Sequence, residues 1–127
     1  MSEEKNRILV IDDDKGILRV FKTILENEGY IVQTAETGRE ALEKLKKERF
    51  NVCLIDVRLP DMDGTEILKM ANAPDTVKII VTGFSSDEVG KKAADLGADD
   101  FLVKPVKPEE LLAAVKDRLE AQQRIYQ

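Results

Sequence analysis

Short apolar runs alternate along this sequence with stretches that have the periodicity of amphipathic helices, and this alternation strongly constrains the fold. The apolar runs predict five strands, at about 8–11, 30–35, 52–55, 78–82 and 101–103. After each of them, apolar residues recur at helical spacing, which predicts five helices. Such alternation is typical of an α/β domain whose parallel sheet is covered by helices on both faces. Right-handed crossovers then limit the topology to a few doubly wound strand orders.

Residues typical of helix ends mark the boundaries of the predicted helices. Asp14 precedes the first helical pattern and is expected to be its N-cap. Gly29 and Gly97 are expected to end the first and fourth helices. Pairs with capping-box spacing open the second, third and fourth helices: Thr37 with Glu40, Asp63 with Glu66, and Ser85 with Glu88. Pro108 fits the first turn of the fifth helix.

The composition excludes several classes of site. No histidine occurs among the 127 residues, which removes histidine-based catalysis and most zinc sites. Cys53 is the one cysteine, and its apolar neighbours predict a buried side chain rather than a reactive thiol. The net charge of −5, with no dense basic stripe, argues against direct nucleic-acid binding.

The length of the chain and its hydropathy pattern predict one domain over residues 1–127, with a core at about 7–119. Residues 120–127 are expected to extend the last helix or to begin a linker, which leaves open whether the chain is cut from a longer protein. No apolar run reaches membrane-spanning length, and residues 1–7 lack a signal-peptide pattern. A cytoplasmic protein with no membrane partner is therefore expected.

Polar residues stand where four of the predicted strands end: Asp12 and Asp13, Asp56, Thr82 and Lys104. In open α/β sheets, ligands bind beyond the carboxyl ends of the strands, near the point where the strand order reverses. Clustered carboxylates repel one another, and Mg²⁺ resolves that conflict because it prefers a few carboxylates, water and phosphate oxygens. A lysine and a hydroxyl added to this set suit a phosphoryl group better than a sugar.

Each of these residues also has a structural interpretation. Asp12 and Asp13 could be loop residues, although two adjacent acids at the end of a buried strand are costly without a partner. Asp56 could be a turn residue, and threonine is common at strand ends. The segment around Asp63 fails as a calcium-binding loop, because aligning Gly64 with the loop glycine places apolar residues at the terminal ligand positions. The glycines form neither a dinucleotide fingerprint nor a P-loop.

From about residue 7 to 119, the sequence resembles the receiver domain of two-component response regulators, in the chemotaxis-regulator-like superfamily. The motifs that carry the resemblance are Ile8-Leu9-Val10-Ile11-Asp12-Asp13, Asp56-Val57-Arg58-Leu59-Pro60-Asp61-Met62-Asp63-Gly64, Thr82-Gly83 and Phe101-Leu102-Val103-Lys104-Pro105. The resemblance implies a flavodoxin-like, doubly wound sheet of five parallel strands in the order 2-1-3-4-5, with five helices.

The resemblance also implies a role for each matching residue. Asp56 would be the nucleophile that takes a phosphoryl group from a phosphohistidine of a sensor histidine kinase. The implied Mg²⁺ ligands are Asp12, Asp13, Asp56 and the backbone carbonyl of Arg58. The implied contacts to the phosphoryl oxygens come from Thr82 and Lys104, which complete the catalytic set with Asp56. Thr82 and Phe101 would act as the switch, moving the face formed by helix four, strand five and helix five. The bond from Lys104 to Pro105 would be cis.

Two positions that vary in the family are expected to tune the lifetime of the phosphoryl group. Arg58 stands two residues after Asp56, and Phe84 stands two residues after Thr82. Their size predicts restricted water access and slow autodephosphorylation, although Phe84 could equally pack on a neighbouring side chain. The chain would then be no enzyme in the usual sense, but a phosphoacceptor that assists its own phosphorylation and dephosphorylation.

Functions of other classes are also compatible with such a fold. A receiver-like protein-interaction module that is never phosphorylated is the main alternative, although none of the expected site residues is replaced. A phosphatase with an aspartyl nucleophile normally has an acid where Arg58 stands, and a flavin protein would need aromatic residues around the ring. The downstream effector and any phosphorylation-dependent homodimer stay open.

Overall fold

The computed structural model describes residues 6–83 and 87–125. In this part of the chain, strands and helices alternate as predicted. The strands are β1 (Arg7–Ile11), β2 (Ile31–Ala35), β3 (Val52–Ile55), β4 (Val77–Thr82) and β5 (Asp100–Val103). The helices are α1 (Lys15–Asn27), α2 (Gly38–Lys47), α3 (Thr65–Met70), α4 (Asp87–Asp95) and α5 (Pro108–Ile125). None of the described helices is long and apolar enough to cross a membrane.

The strands form one parallel sheet in the order β2-β1-β3-β4-β5, which confirms the expected topology. The strand order reverses at β1, because β1 pairs with β2 on one side and β3 on the other. Ile11 pairs with Ile55, so the residues that follow these strands emerge side by side. The backbone N–H of Asp56 donates to the carbonyl of Ile11 at 2.9 Å, which fixes this register at the edge of the sheet.

The core lies on both faces of the sheet, because successive residues of a strand point to opposite sides. In β1, Ile8 and Val10 join a cluster with apolar residues of α1 and α5, whereas Leu9 and Ile11 join one with residues of α2, α3 and α4. Burial on both faces explains why the central strands are nearly all apolar. Cys53 is buried as predicted, and this burial raises the pKa of its thiol to about 12.

The helix ends agree with the sequence patterns at most positions. The Asp14 carboxylate accepts hydrogen bonds from the backbone N–H groups of Gly16 and Ile17, so it is the N-cap of α1. The Thr37 side chain caps α2 by accepting from the backbone of Glu40. The glycines after α1 and α4 have φ values of 93° and 97°, a left-handed conformation that ends a helix at little steric cost in glycine.

The third helix begins one residue later than predicted, at Thr65, but the capping role predicted for Asp63 is confirmed. Gly64, directly before α3, already has helical angles, φ −58° and ψ −27°. The Asp63 carboxylate accepts from the backbone and the hydroxyl of Thr65, at 2.9 and 2.7 Å, as an N-cap side chain does. Asp63 also forms a bridge with Arg58 in the turn that precedes the helix. Ser85, the predicted cap of the fourth helix, lies outside the described residues.

Candidate functional site

The site lies at the carboxyl edge of the sheet, where Lys104 contacts two buried carboxylates. Asp12 is 3% exposed and Asp56 is 6% exposed. The Lys104 Nζ is 2.7 Å from the Asp12 Oδ2 and 3.6 Å from the Asp56 Oδ2. The second Asp12 oxygen accepts from the backbone N–H of Asp14 at 2.9 Å. The lysine therefore bridges the ends of β1 and β3, with its shorter contact to Asp12.

Three carboxylates converge beside this lysine. Asp12, Asp13 and Asp56 each offer an oxygen, and these atoms all lie within 4.8 Å of one another. Asp13 is exposed and completes the group from the solvent side. Three negative charges against one lysine leave a local excess that a divalent cation would offset, and hard cations such as Mg²⁺ prefer oxygen ligands. The donor set thus fits Mg²⁺.

The surroundings raise the pKa values of both Asp56 and Lys104. Burial, and then the neighbouring charge of Asp12, raise the pKa of Asp56 above its usual value, against the opposing effects of Lys104 and a backbone hydrogen bond from Arg58. Burial alone would lower the pKa of Lys104, but the hydrogen bond and charge of Asp12, together with Asp56, outweigh it and raise the pKa. Lys104 therefore keeps its positive charge at neutral pH.

Thr82 and Phe101 lie on the side of the site formed by β4 and β5. Thr82 is fully buried at the end of β4 and pairs with Val103, and its carbonyl accepts from the Lys104 backbone at 2.8 Å. Phe101 is half-buried against the cluster shared with α2, α3 and α4. The Lys104–Pro105 bond is cis, as the resemblance implied.

The comparisons with known proteins agree with this geometry. The family model described as the response regulator receiver domain matches residues 8–116. The chain belongs to this family. Its sheet order and helices are those of its structural neighbours, so it is a receiver domain of the two-component response regulators.

Three relatives illustrate the similarity. A CheY-like receiver domain protein from Methanospirillum hungatei JF-1 is 45% identical, with a TM-score of 0.93 over 95% of this chain and 98% of that chain. The beryllofluoride-activated NtrC4 receiver domain dimer is 41% identical, with a TM-score of 0.86 over 91% of this chain and 98% of that one. The alginate biosynthesis transcriptional regulatory protein AlgB of Pseudomonas aeruginosa is 39% identical over 124 residues, which are 96% of this chain and 28% of AlgB. The receiver thus spans less than a third of that regulator.

The turn before α3 supports the phosphoacceptor candidate through a close contact with its backbone. Residues 57–64 of the receiver form a short hairpin, closed by the Arg58–Asp63 bridge and by a hydrogen bond of 2.6 Å from the Gly64 N–H to the Val57 carbonyl. The hairpin packs so closely that a Cβ on Gly64 would lie 1.9 Å from the Asp56 carbonyl oxygen. Gly64 belongs to the motif noted in the sequence, but its close approach to the Asp56 backbone depends on how the hairpin folds back and is not visible in the motif. Of the two lifetime positions, the Arg58 side chain is exposed, and Phe84 lies outside the described residues.

Proposed function

We propose that this receiver is a Mg²⁺-dependent phosphoacceptor that takes a phosphoryl group on Asp56 from a sensor histidine kinase. The observation that carries the proposal is the arrangement of Asp12, Asp13 and Asp56 around one lysine. A buried pair of acids would be a costly way to build a purely structural strand end. The same pair, with an exposed third acid, is suited to a divalent cation and an incoming phosphoryl group.

The metal ligands in this proposal are the carboxylates of Asp12, Asp13 and Asp56 and the backbone carbonyl of Arg58. When bound, Mg²⁺ would neutralise the charge that develops on the transferring phosphoryl oxygens. Lys104 supplies the second positive charge. It contacts Asp12 more closely than Asp56, and with Asp12 engaged as a metal ligand Lys104 would pair with the phosphoryl group on Asp56.

The transfer requires a donor from outside this chain, since the sequence contains no histidine. An Asp56 carboxylate oxygen attacks the phosphorus, a P–O bond forms, and the P–N bond to the donor imidazole breaks. The electron pair of that bond returns to the imidazole nitrogen. Thr82 supplies a hydroxyl that donates to a phosphoryl oxygen, and Lys104 stabilises the negative charge.

Phosphorylation then changes the face formed by α4, β5 and α5. A new anion at Asp56 attracts the Thr82 hydroxyl, and the half-buried Phe101 ring has room to move where Thr82 withdraws. β5 is the edge strand of the sheet, and Val103 is exposed there. The relative described as a beryllofluoride-activated receiver domain dimer supports a phosphorylation-dependent homodimer as one output of this receiver.

Phosphorylation by a small donor separates the switch from the main alternative, an interaction module that is never phosphorylated. The protein is incubated with acetyl phosphate in Mg²⁺ or in a chelator, and its intact mass is measured. We expect one phosphoryl group per chain with Mg²⁺ and almost none with the chelator. An unmodified chain under both conditions would favour the interaction module.

The kinase should dock on a groove beside Lys104. This groove of about 580 Å³ is lined by residues of α1 and of the loop before α5, including Lys104, Pro105 and Val20, and Val20 is 54% exposed. A macromolecule that brings a phosphohistidine to Asp56 must cover the surface that borders the site. An apolar rim next to the reacting groups suits such a transient contact.

Val20→Glu should therefore slow transfer from the kinase and leave acetyl phosphate labelling unchanged. A charge in an apolar contact typically costs enough to lower the rate about tenfold. The test uses a purified, autophosphorylated kinase that a phosphotransfer screen identifies as the donor. Met70→Glu is the matched control, because Met70 is equally exposed, at 58%, but lies on α3 across the sheet. Equal slowing by both variants, or by neither, would contradict docking at this groove.

A further inference from the structure

The tip of the 57–64 hairpin is tied to the start of α2. One Asp61 oxygen accepts from the backbone N–H of Gly38, and the other accepts from that of Arg39, both at 2.9 Å. These N–H groups belong to the first turn of α2, where backbone donors have no partner within the helix. The hydrogen bonds from Gly38 and Arg39 lower the pKa of Asp61, so its carboxylate is charged at neutral pH. A carboxylate at a helix N-terminus is also favoured by the helix dipole.

The contact between hairpin and helix is also steric. Met62, next to Asp61, lies directly over Gly38. A Cβ on Gly38 would lie 2.4 Å from both the Cγ and the Sδ of Met62, well inside van der Waals distance. A glycine at the start of α2 therefore allows the hairpin to approach, and Asp61 holds it there.

The hairpin and α2, which meet in this contact, are each connected to a segment that carries a proposed metal ligand. On the hairpin side, the Arg58–Asp63 bridge closes the turn directly after Asp56. On the helix side, α2 begins three residues after Ala35, whose carbonyl accepts from the backbone N–H of Asp12 at 3.0 Å. The Asp61 contact thus connects the segment that carries the Arg58 carbonyl to the strand end that carries Asp12.

We propose that Asp61 is a positioning residue for the metal site: its carboxylate fixes the hairpin against α2 and so fixes the Arg58 carbonyl relative to Asp12 and Asp56. The inference rests on the proposed function, because it concerns the Mg²⁺ of that site. Thr37 takes the Glu40 N–H, so Asp61 serves two other N–H groups of the same turn and, unlike Thr37, joins α2 to the hairpin. Groups that orient metal ligands typically change metal affinity tenfold or more when they are removed.

Asp61→Ala should weaken Mg²⁺ binding about tenfold, as measured by titration calorimetry on the intact protein. Asp61→Asn keeps one acceptor oxygen, so its Mg²⁺ affinity should lie between that of the parent and that of Asp61→Ala. The methyl group of Gly38→Ala would displace Met62 without removing a charge, and this variant should also weaken Mg²⁺ binding. Asp99→Ala is the matched control: Asp99 also accepts from a backbone N–H, that of Lys78 at 2.8 Å, but at the opposite edge of the sheet. It should leave Mg²⁺ affinity unchanged.

Phosphorylation by acetyl phosphate separates positioning from a structural role. For Asp61→Ala, the Mg²⁺ concentration at half-maximal rate should rise while the rate at saturating Mg²⁺ stays near that of the parent. If Asp61→Ala lowers the free energy of unfolding but leaves Mg²⁺ affinity unchanged, the inference is overturned, whether or not the protein is phosphorylated. Weaker Mg²⁺ binding in a protein that never becomes phosphorylated would support Asp61 as a positioning residue and contradict the phosphoacceptor function alone.

Discussion

Asp56→Asn should take up no phosphoryl group from acetyl phosphate in Mg²⁺, under conditions in which the parent is fully labelled. The amide is nearly isosteric with the carboxylate but lacks the nucleophilic oxygen, so the effect should be a complete loss. Intact-mass measurement over time gives the result directly. Asp117→Asn is the charge-matched control, because Asp117 is exposed on α5, and it should label like the parent.

The same substitution should raise the free energy of unfolding in metal-free buffer at pH 7. The pKa of Asp56 is raised by burial and by Asp12, so the ionised form is disfavoured in the folded state. The free-energy cost of holding ionised Asp56 in the folded state is present above the raised pKa and is lost as the pH falls through that pKa. Asparagine carries no such cost at any pH. Urea unfolding of both proteins at pH 7 and at acidic pH tests the sign. Residual labelling of a folded Asp56→Asn protein would place the phosphoacceptor elsewhere.

Gly64→Ala should destabilise the domain by about 3 kcal/mol or more. Its Cβ would lie 1.9 Å from the Asp56 carbonyl oxygen and 2.8 Å from the carbonyl carbon, and both are backbone atoms that no side-chain rotation can move. Backbone preference cannot explain the effect, because Gly64 has φ −58° and ψ −27°, which alanine adopts readily. The clash therefore has to displace either the hairpin or the end of β3. Urea unfolding in metal-free buffer measures the loss.

Gly83→Ala is the matched control for this prediction. Gly83 also borders the site, directly after Thr82, but a Cβ there would have no atom within 4 Å. Its free energy of unfolding should stay within about 1 kcal/mol of the parent value. If the two variants unfold with equal free energies, the close approach of Gly64 to Asp56 does not occur in solution.

The fold could be predicted because the central strands are buried on both faces. In β1 and β3, every residue from Ile8 to Ile11 and from Val52 to Ile55 is buried, and such runs stand out against helices that carry only one apolar face. The start of α3 could not be predicted as well. Asp63 accepts the Thr65 N–H as its capping spacing predicts, but α3 begins at Thr65 rather than at Gly64, and no local pattern reports the bridge between Asp63 and Arg58.

The clustering of site residues could be predicted for a similar reason. Parallel strands present their carboxyl ends at one edge, so Asp12 and Asp56 were expected to meet there. The Lys104 Nζ is less than 1 Å closer to the Asp12 carboxylate than to that of Asp56, and a sequence pattern does not predict so small a difference. The contact of Asp61 with Gly38 joins residues 23 positions apart, and it depends on where the hairpin lies relative to α2.

Mapping the phosphoryl group on the unsubstituted protein identifies the phosphoacceptor residue. The protein is treated with acetyl phosphate and Mg²⁺, the acyl phosphate is reduced with borohydride, and peptides are sequenced by mass spectrometry. Reduction converts a phosphorylated aspartate to homoserine, so we expect homoserine at position 56, and only when Mg²⁺ was present. Homoserine at Asp12 or Asp13 instead, or equal conversion of Asp56 in a chelator, would contradict it.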